Sequence, residues 1–406
     1  MQLILYSGLD EGGIRSGLGT PDYSYHFVLA AFRPLLERLA AVTVVRNLAE
    51  VGPLAACLPA TFLCFAPPHQ IPLGLPCPTM PVFAWEFSTL PDGWDGDVRQ
   101  DWRHVLRAAG QAITLSAHTA GVVRAALGDG FPIAAIPAPV WDRFAAIGRT
   151  TRPLPVPDAF DTAGLALTPG MPQGNPFTPG PVAPGGIVFT SVFNPADGRK
   201  NWHDIVTAFC WAFRDAEDAT LILKIVHHDR ARWVPTLWLL LAQLAPFRCR
   251  VVAIDGFLET PAYHALVGAT DFYVNASHCE GLCLPLMEFM SAGRPAIAPA
   301  HTAMADYVDD RAAFVVRSGI EHNVWPHDPR DLFRTMRHRI EWDSLLSAYR
   351  EAYRVARERP AEHAAMGQAA AARMQSYCSE KTVAAKLATA LGLAAPRSLD
   401  LAQAAD

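Results

Sequence analysis

Two series of short, apolar, β-rich runs dominate this sequence, and segments with helical periodicity separate the runs within each series. The first series covers residues 3–7, 42–48, 61–66, 81–86, 111–116 and 133–137. The second covers 187–193, 220–226, 249–257, 271–277, 295–299 and 313–316. Buried strands that alternate with helices predict parallel sheets with helices on both faces. Because 406 residues exceed one ordinary core, we expect an α/β protein with two doubly wound, Rossmann-like domains.

The two series are separated by residues 150–186, a stretch dense in proline and glycine. Proline lacks an amide hydrogen and glycine adds conformational entropy, so this stretch is predicted neither to form helices nor to pair well. We expect an N-terminal domain at 1–149, a partly mobile interdomain region at 150–186, a C-terminal domain at 187–375 and a final segment at 376–406. Ligands of open α/β sheets bind at strand ends, which predicts a central cleft between the domains.

The overall composition argues against several classes of protein. A net charge of −5 gives no indication of nucleic-acid binding, and the longest apolar runs, such as 233–246, are short for a membrane span. The sequence opens on a strand without a basic leader, so no signal peptide is expected. Eight cysteines without a CxxC pair are typical of reduced thiols, so we expect a cytoplasmic location.

The stretch CEGLCLPLME at 279–288 places Glu280 and Glu288 eight positions apart, whereas the chain contains no GxGxxG, Walker A or HExxH motif. The following letters, PLMEFMSAG, predict a short helix. Pro285 suits its first turn, and Gly293 suits the left-handed position after its last turn. A helix N-terminus presents free amides and partial positive charge, so a diphosphate can bind there.

The carboxylates on either side of this anion site predict a nucleotide-sugar site. Gly281 lets the backbone approach a ligand closely. Glu280 can accept hydrogen bonds from sugar hydroxyls, and Glu288 can accept from a second pair, such as those of a ribose. The alternative is that both glutamates are ordinary charges at the start of a helix.

The longer stretch EGLCLPLMEFMSAGRPAIAP resembles the EGxGLPxxEAMAxGxPVI motif of the retaining glycosyltransferases of family 4, two-domain enzymes of the GT-B fold. The positions in register are Glu280, Gly281, Leu284, Pro285, Glu288, Met290, Gly293 and Pro295. Residues 188–213 resemble the strand, basic loop and helix of that family, and 271–277 resemble its strand before the motif. Residues 81–94 and 113–140 resemble its acceptor-side strands and loops less specifically.

The resemblance implies a role for each of these positions. Glu280 would hold hydroxyls of the donor sugar, and Glu288 would hold the ribose. Backbone amides of the motif would meet the sugar and phosphates, which concerns Gly281, Leu282, Cys283 and Leu284. Arg199 and Lys200 occupy the basic loop and would neutralise the departing diphosphate. Their alternative is a solvated loop before a helix.

The remaining candidates depend on the same resemblance. Gly12 and Gly13 follow the first strand as a glycine loop near the donor phosphate, with a plain turn as the alternative. Lys224 would reach the diphosphate or would be a satisfied lysine at a sheet end. The family places a histidine after the 81–86 strand, where this chain has Glu86, so Glu86 and His118 are the candidates on the acceptor side. His118 is otherwise a neighbour of a helix cap.

The activity implied is that of a retaining hexosyltransferase. It would move a sugar from a nucleotide diphosphate donor to a hydroxyl of a sugar, a lipid-linked or a protein-linked acceptor, in glycan or polysaccharide assembly. Without a DxD motif at a donor loop, no metal ion or other cofactor is expected, and the resemblance implies front-face attack. The alternatives are another GT-B enzyme, such as a sugar-nucleotide epimerase or a phosphorylase, and a non-catalytic sugar-nucleotide-binding protein.

Two further expectations concern surfaces. Arg99, Arg103 and Arg107 are predicted to share one helix face, which suits either solvent or an anionic acceptor in a peripheral contact with the inner membrane face. The last helix, near 379–392, is expected from the resemblance to cross back onto the first domain. Its stripe of Val383, Leu387 and Leu391 would be buried there.

Overall fold

The first half of the chain forms a sheet of parallel strands. A computed structural model describes residues 2–9, 12, 17–18, 20–94, 96–168, 170, 174–326 and 328–394. The strands are β1 (Gln2–Ser7), β2 (Ala41–Val44), β3 (Ala60–Phe65), β4 (Thr79–Phe83), β5 (Ala112–Thr114) and β6 (Ile133–Ala135). They lie in the order β2-β1-β3-β4-β5-β6. The helices that cover them are α1 (Pro21–Leu39), α2 (Val51–Cys57), α3 (Trp102–Ala109), α4 (Ala117–Leu127) and α5 (Trp141–Phe144).

The second half forms a sheet of eight strands in the order β14-β13-β12-β9-β10-β11-β7-β8. These strands are β7 (Asp158–Asp161), β8 (Phe177–Pro179), β9 (Ile187–Phe193), β10 (Ala219–Ile225), β11 (Arg250–Ile254), β12 (Phe272–Val274), β13 (Ala296–Ala298) and β14 (Ala313–Val315). The helices packed on it include α6 (Trp202–Ala212), α7 (Arg230–Leu244), α8 (Thr260–Ala269) and α9 (Leu284–Ser291). The two doubly wound sheets, the second with two antiparallel strands at one edge, confirm the predicted fold class.

The proline- and glycine-rich stretch contains more structure than the sequence predicts. β7 pairs antiparallel with β11, and β8 pairs antiparallel with β7. Phe160 and Phe177, one on each strand, are almost fully buried in the second core. The prediction that 150–186 pairs poorly is therefore wrong for these strands, because buried aromatic side chains stabilise an edge that proline and glycine alone would weaken.

A hairpin that the sequence analysis did not predict joins the two domains. Its strands are β15 (Ser318–Asn323) and β16 (Thr335–Ile340), which pair only with each other in the described sheets. Its loop reaches the segment after β4, where Thr89 Oγ1 donates to Arg334 O (2.7 Å) and Arg330 Nη2 donates to Asp92 Oδ1 (2.7 Å). Most residues of both strands are polar, so no apolar run marked them.

The last described part of the chain contains three helices, α10 (Trp342–Glu358), α11 (Pro360–Cys378) and α12 (Glu380–Ala390). α12 packs against α1 of the first domain, and Arg38 Nη2 lies 2.6 Å from Glu380 Oε2. Val383 and Leu387 have no exposed surface. The stripe on α12 therefore contributes to the core that contains the first sheet.

The arginine face proposed for 97–110 does not exist as a single helix face. α3 begins only at Trp102, because Asp101 caps it by accepting from the amide of Arg103. Arg99 lies in a separate helical turn and pairs with Asp97. No described helix is both long and apolar enough to cross a bilayer.

The packing of α12 predicts that Leu387→Ala destabilises the protein by about 2–5 kcal/mol, because a fully buried leucine leaves a cavity. The matched control is Leu239→Ala on α7, where the side chain is 48% exposed and a change within about 0.5 kcal/mol is expected. Urea denaturation measures both. Equal shifts of the two midpoints would contradict the packing described for α12.

Candidate functional site

The second sheet reverses its strand order between β9 and β12, and the candidate residues gather there. The chain proceeds from β9 to β10 and β11 on one side, whereas β12 leads to β13 and β14 on the other. The loops after β9 and β12 therefore diverge at the carboxyl end of the sheet and leave a crevice, as in other doubly wound sheets. Arg199 and Lys200 lie on the first loop, and Glu280 lies on the second.

The loop after β9 is ordered by its own side chains and by its neighbour. Asp197 accepts from the amide of Arg199 (3.1 Å), and Asn201 takes a left-handed backbone conformation before α6 begins. His278 N donates to Arg199 O (2.7 Å), and Arg199 Nη1 donates to Cys279 O (3.0 Å). The two loops are therefore held against each other at the crevice.

Glu280 forms the centre of this arrangement. It is 3% exposed, and its Oε1 accepts from Lys200 Nζ (2.6 Å) and Ser277 Oγ (2.7 Å). Burial alone would raise the pKa of Glu280, but the charges of Lys200 and Arg199 more than offset burial and lower the pKa to about 2. Burial would lower the pKa of Lys200, and Glu280 raises it instead. Both groups are therefore charged near neutral pH.

Glu86, which follows β4 in the first domain, reaches across to this centre. Its carboxylate lies 3.1 Å from Arg199 Nη1. Burial raises the pKa of Glu86, against the opposing effect of Arg199. Glu86, Asp197 and Glu280 thus face the two cations Arg199 and Lys200. Three carboxylates against two cations mean that an added anion must compete with protein groups for the same positive charges.

The helix after Glu280 has the geometry that the sequence predicts. Pro285 lies in the first turn of α9, and Gly293 has a φ of 70° after its end. Cys283 caps the helix with a φ of 64°, a left-handed conformation that costs a non-glycine residue about 1–2 kcal/mol. The first amides of an α-helix have no partner within the helix, so partial positive charge lies beside the Glu280 loop.

Gly281 lies at a close approach of the two domains. A Cβ atom at this position would lie 2.8 Å from Ala84 Cβ and 3.2 Å from Trp85 N. Any side chain would push the first domain away, so the domain contact itself requires glycine. The sequence predicts that a ligand approaches Gly281, and in the structure its close neighbour is the first domain.

Glu288 is paired with a residue that the sequence analysis missed. Its Oε2 accepts from the hydroxyl of Tyr263 on α8 (2.6 Å). Burial raises the pKa of Glu288, and the hydrogen bond from Tyr263 opposes this. Burial, aided by the charge of Glu288, raises the pKa of Tyr23 on α1 to about 12. Glu288 therefore also lies within electrostatic reach of the first domain.

Comparison of the chain with solved structures identifies its fold. HepE of Anabaena, in complex with UDP, matches with a TM-score of 0.57 and 13% identity over 96% of this chain and 99% of HepE. Sucrose-phosphate synthase from Thermosynechococcus elongatus matches with a TM-score of 0.54 and 12% identity over 96% of this chain and 98% of the synthase. A TarM mutant of S. aureus, in complex with fondaparinux, α-GlcNAc-glycerol and UDP, matches with a TM-score of 0.51 and 10% identity over 82% of this chain and 55% of TarM. These proteins are GT-B glycosyltransferases.

This chain has the GT-B fold. It covers about half the length of TarM and nearly all of HepE. No family model matches the sequence, and no curated protein sequence matches it either. The crevice between β9 and β12 therefore lies in the second Rossmann-like domain of a GT-B protein, and Glu86 faces it from the first.

The other candidates occupy different positions in this GT-B structure. Lys224 Nζ donates to Ile225 O (3.0 Å) and Gly256 O (2.5 Å), and burial lowers its pKa to about 8. These contacts favour the second interpretation of Lys224, a lysine at a sheet end whose hydrogen bonds are satisfied by the protein. Gly12 is exposed, and Gly13 lies outside the described residues.

His118 lies in the first turn of α4, whose cap is Ser116. Burial lowers its pKa, and hydrogen bonds with the backbone of Glu86 and Phe87 oppose this. Its Nε2 is buried and has no hydrogen-bond partner within the described part of the chain. The structure thus brings His118 next to Glu86 on the first-domain side of the GT-B cleft.

A second groove and possible metal clusters are the alternatives to this cleft. A groove of about 720 Å³ lies on the far side of the second domain, beside α10. Its Arg248 and Arg357 already pair with Glu217 and Asp218. Among the described residues, no cluster of three or more His, Cys, Asp or Glu side chains is arranged to hold a metal ion. The GT-B cleft remains the candidate site.

The charges in the cleft predict that Glu86→Gln tightens the binding of pyrophosphate about fivefold at pH 8, because the change removes one competing carboxylate from Arg199. Since the pKa of Glu86 is raised, lowering the pH should neutralise it early, and the wild type should approach the variant toward pH 5. Calorimetry at both pH values measures this.

The matched control for this experiment is Glu37→Gln, which removes an exposed carboxylate paired with Arg33 on α1. It should leave pyrophosphate binding unchanged at either pH. If Glu86→Gln weakens binding, or if its effect does not depend on pH, the competition between Glu86 and the anion is refuted.

Proposed function

We propose that this protein is a retaining, hexosyl-type glycosyltransferase, similar to the family 4 enzymes, that uses a nucleotide diphosphate sugar as donor. The observation that carries the proposal is the buried contact of 2.6 Å between Lys200 and Glu280 at the switch point of a GT-B domain. The cation suits the diphosphate of such a donor, and the carboxylate suits the hydroxyls of its sugar. HepE has also been solved with UDP-glucose, which supports the same ligand class.

In this proposal the donor replaces the contacts within the ion cluster. The diphosphate takes hydrogen bonds from Lys200 and Arg199, and Glu280 is released to accept from hydroxyls of the sugar. Amides at the start of α9, from Gly281 through Leu284, add partial positive charge, and Glu288 accepts from the ribose. The ion cluster thus keeps these side chains in place until a ligand of matching charge arrives.

The proposed transfer of the sugar develops negative charge on the departing diphosphate. The bond between the anomeric carbon and the phosphate oxygen breaks while the acceptor oxygen attacks from the same face. The acceptor's proton passes to the departing phosphate oxygen. Negative charge grows on the diphosphate, so Arg199 and Lys200 stabilise the transition state more than the bound donor. We propose that these cations act without a metal ion.

The acceptor is assigned to the first-domain side of the cleft. His118 and Glu86 lie together there; burial lowers the pKa of His118, and it raises the pKa of Glu86, whose carboxylate pairs with Arg199. An imidazole and a carboxyl group can exchange hydrogen bonds with a hydroxyl acceptor, whether a sugar, a lipid-linked or a protein-linked glycan. A role in glycan or polysaccharide assembly and a cytoplasmic location complete the proposal. All eight cysteines are free thiols, which supports that location.

The ribose assignment predicts that Glu288→Ala weakens binding of a nucleoside diphosphate by about 1–3 kcal/mol, because charge-assisted hydrogen bonds are lost. Calorimetry with UDP and GDP in the presence of a chelator measures it, and the wild type should bind without a divalent cation. Tyr263→Phe is the control, since it removes the hydroxyl bonded to Glu288 and retains the carboxylate. Normal nucleotide binding by Glu288→Ala would refute the assignment.

The leaving-group assignment predicts that Lys200→Ala lowers kcat about 100-fold and weakens donor binding much less, because the charge is needed mainly in the transition state. Transfer and donor hydrolysis are measured beside donor affinity, and Lys381→Ala, at an exposed lysine of α12, is the control. An unchanged kcat with a raised KM would make Lys200 a docking residue only. A wild type that binds donor and leaves it intact would favour the non-catalytic alternative.

A further inference from the structure

His301 follows β13 and lies in the same interdomain region as Glu280. The residue is 6% exposed, and its ring stacks on that of His338 from β16, with 4.1 Å between centroids and 14° between planes. Nδ1 of His301 lies 3.3 Å from Thr302 Oγ1. Nε2 is buried, and no described residue provides it with a hydrogen-bond partner. One side of this imidazole is therefore fixed and the other is unsatisfied.

The segment that begins with His301 forms hydrogen bonds with both the amide and the carbonyl of Glu280. Glu280 N donates to Thr302 Oγ1 (3.0 Å), and Ala303 N donates to Glu280 O (3.1 Å). Burial, together with His338, lowers the pKa of His301 to about 3, although the charge of Glu280 opposes this. The imidazole is thus neutral at working pH and lies within electrostatic reach of the Glu280 carboxylate.

The hydrogen bonds around Thr302 allow an arrangement in which Nε2 of His301 carries the proton. Thr302 Oγ1 already accepts from Glu280 N, and its own hydrogen can be donated to Nδ1 of His301. In that arrangement Nε2 carries the hydrogen and is a donor. Buried donors in native proteins almost always have a partner, and a donor without one beside a candidate site points to a group that a ligand supplies.

We propose that Nε2 of His301 donates a hydrogen bond to a hydroxyl of the donor sugar, beside the hydroxyls held by Glu280, and that His301 is a specificity-determining residue. The inference rests on the proposed function, because it requires a sugar at Glu280. The stack on His338 fixes the plane of the imidazole, so the hairpin of β15 and β16 takes part in positioning the donor sugar.

Two substitutions separate hydrogen bonding from packing. His301→Phe keeps a flat ring against His338 and removes Nε2, whereas His301→Gln restores an N–H group. Calorimetry compares UDP-glucose with UDP, and GDP-mannose with GDP, for each protein. We expect His301→Phe to lose about tenfold in affinity for the nucleotide sugar that the wild type binds and to keep its affinity for the nucleotide alone. His301→Gln should recover part of the loss.

The matched control is His363→Phe on α11, where Nε2 is 3.3 Å from Asp271 O and burial lowers the pKa to about 4. It should not change the difference in affinity between sugar nucleotide and nucleotide. An equal loss for both ligands, or no loss, in His301→Phe would overturn the role of His301 and leave the proposed function standing. If the wild type binds none of the four ligands, the proposed function fails, and the inference fails with it.

Discussion

The buried ion cluster around Glu280 is the interaction on which the rest of this site depends. A carboxylate that is 3% exposed is stable only if cations and hydrogen-bond donors replace water, and Lys200 and Ser277 do so. These contacts fix the loops after β9 and β12 in one arrangement. Arg199 also holds Glu86 of the first domain, 3.1 Å from its Nη1, so the cluster links the two domains.

Much of the fold could be predicted because its strands are marked locally. Every parallel strand of both sheets coincides with an apolar run, since strands buried on both faces must be apolar. The hairpin at 318–340 could not be found this way. Its strands are mostly polar, and it is held by Thr89 and Asp92, far away in the sequence. The strands within 150–186 were missed for a similar reason, because distant aromatic packing outweighs local proline and glycine.

The candidate site likewise contains features that local sequence predicts and contacts that it does not. Helix α9 and the positions of Pro285 and Gly293 follow from local chemistry, so the sequence predicts them. The partners Tyr263 and His301 come from other elements and carry no local motif. Gly281 shows the limit most clearly. Its sequence context indicates close approach, but only the structure shows that the approaching group is Ala84 of the first domain.

The contacts between the domains differ in kind, and this difference determines which of them can separate. α12 is attached to the first domain through fully buried apolar side chains, whose exposure would cost several kcal/mol. The hairpin is attached through its buried Trp325, whose Nε1 donates to Thr89 Oγ1 (3.1 Å), and through polar contacts. Of the polar contacts, the Arg330–Asp92 pair is more than a quarter exposed on each side, so water can replace much of it at a cost of about 1 kcal/mol or less. The exposed Arg330–Asp92 pair is therefore the contact expected to release first when the domains separate, while α12 moves with the first domain.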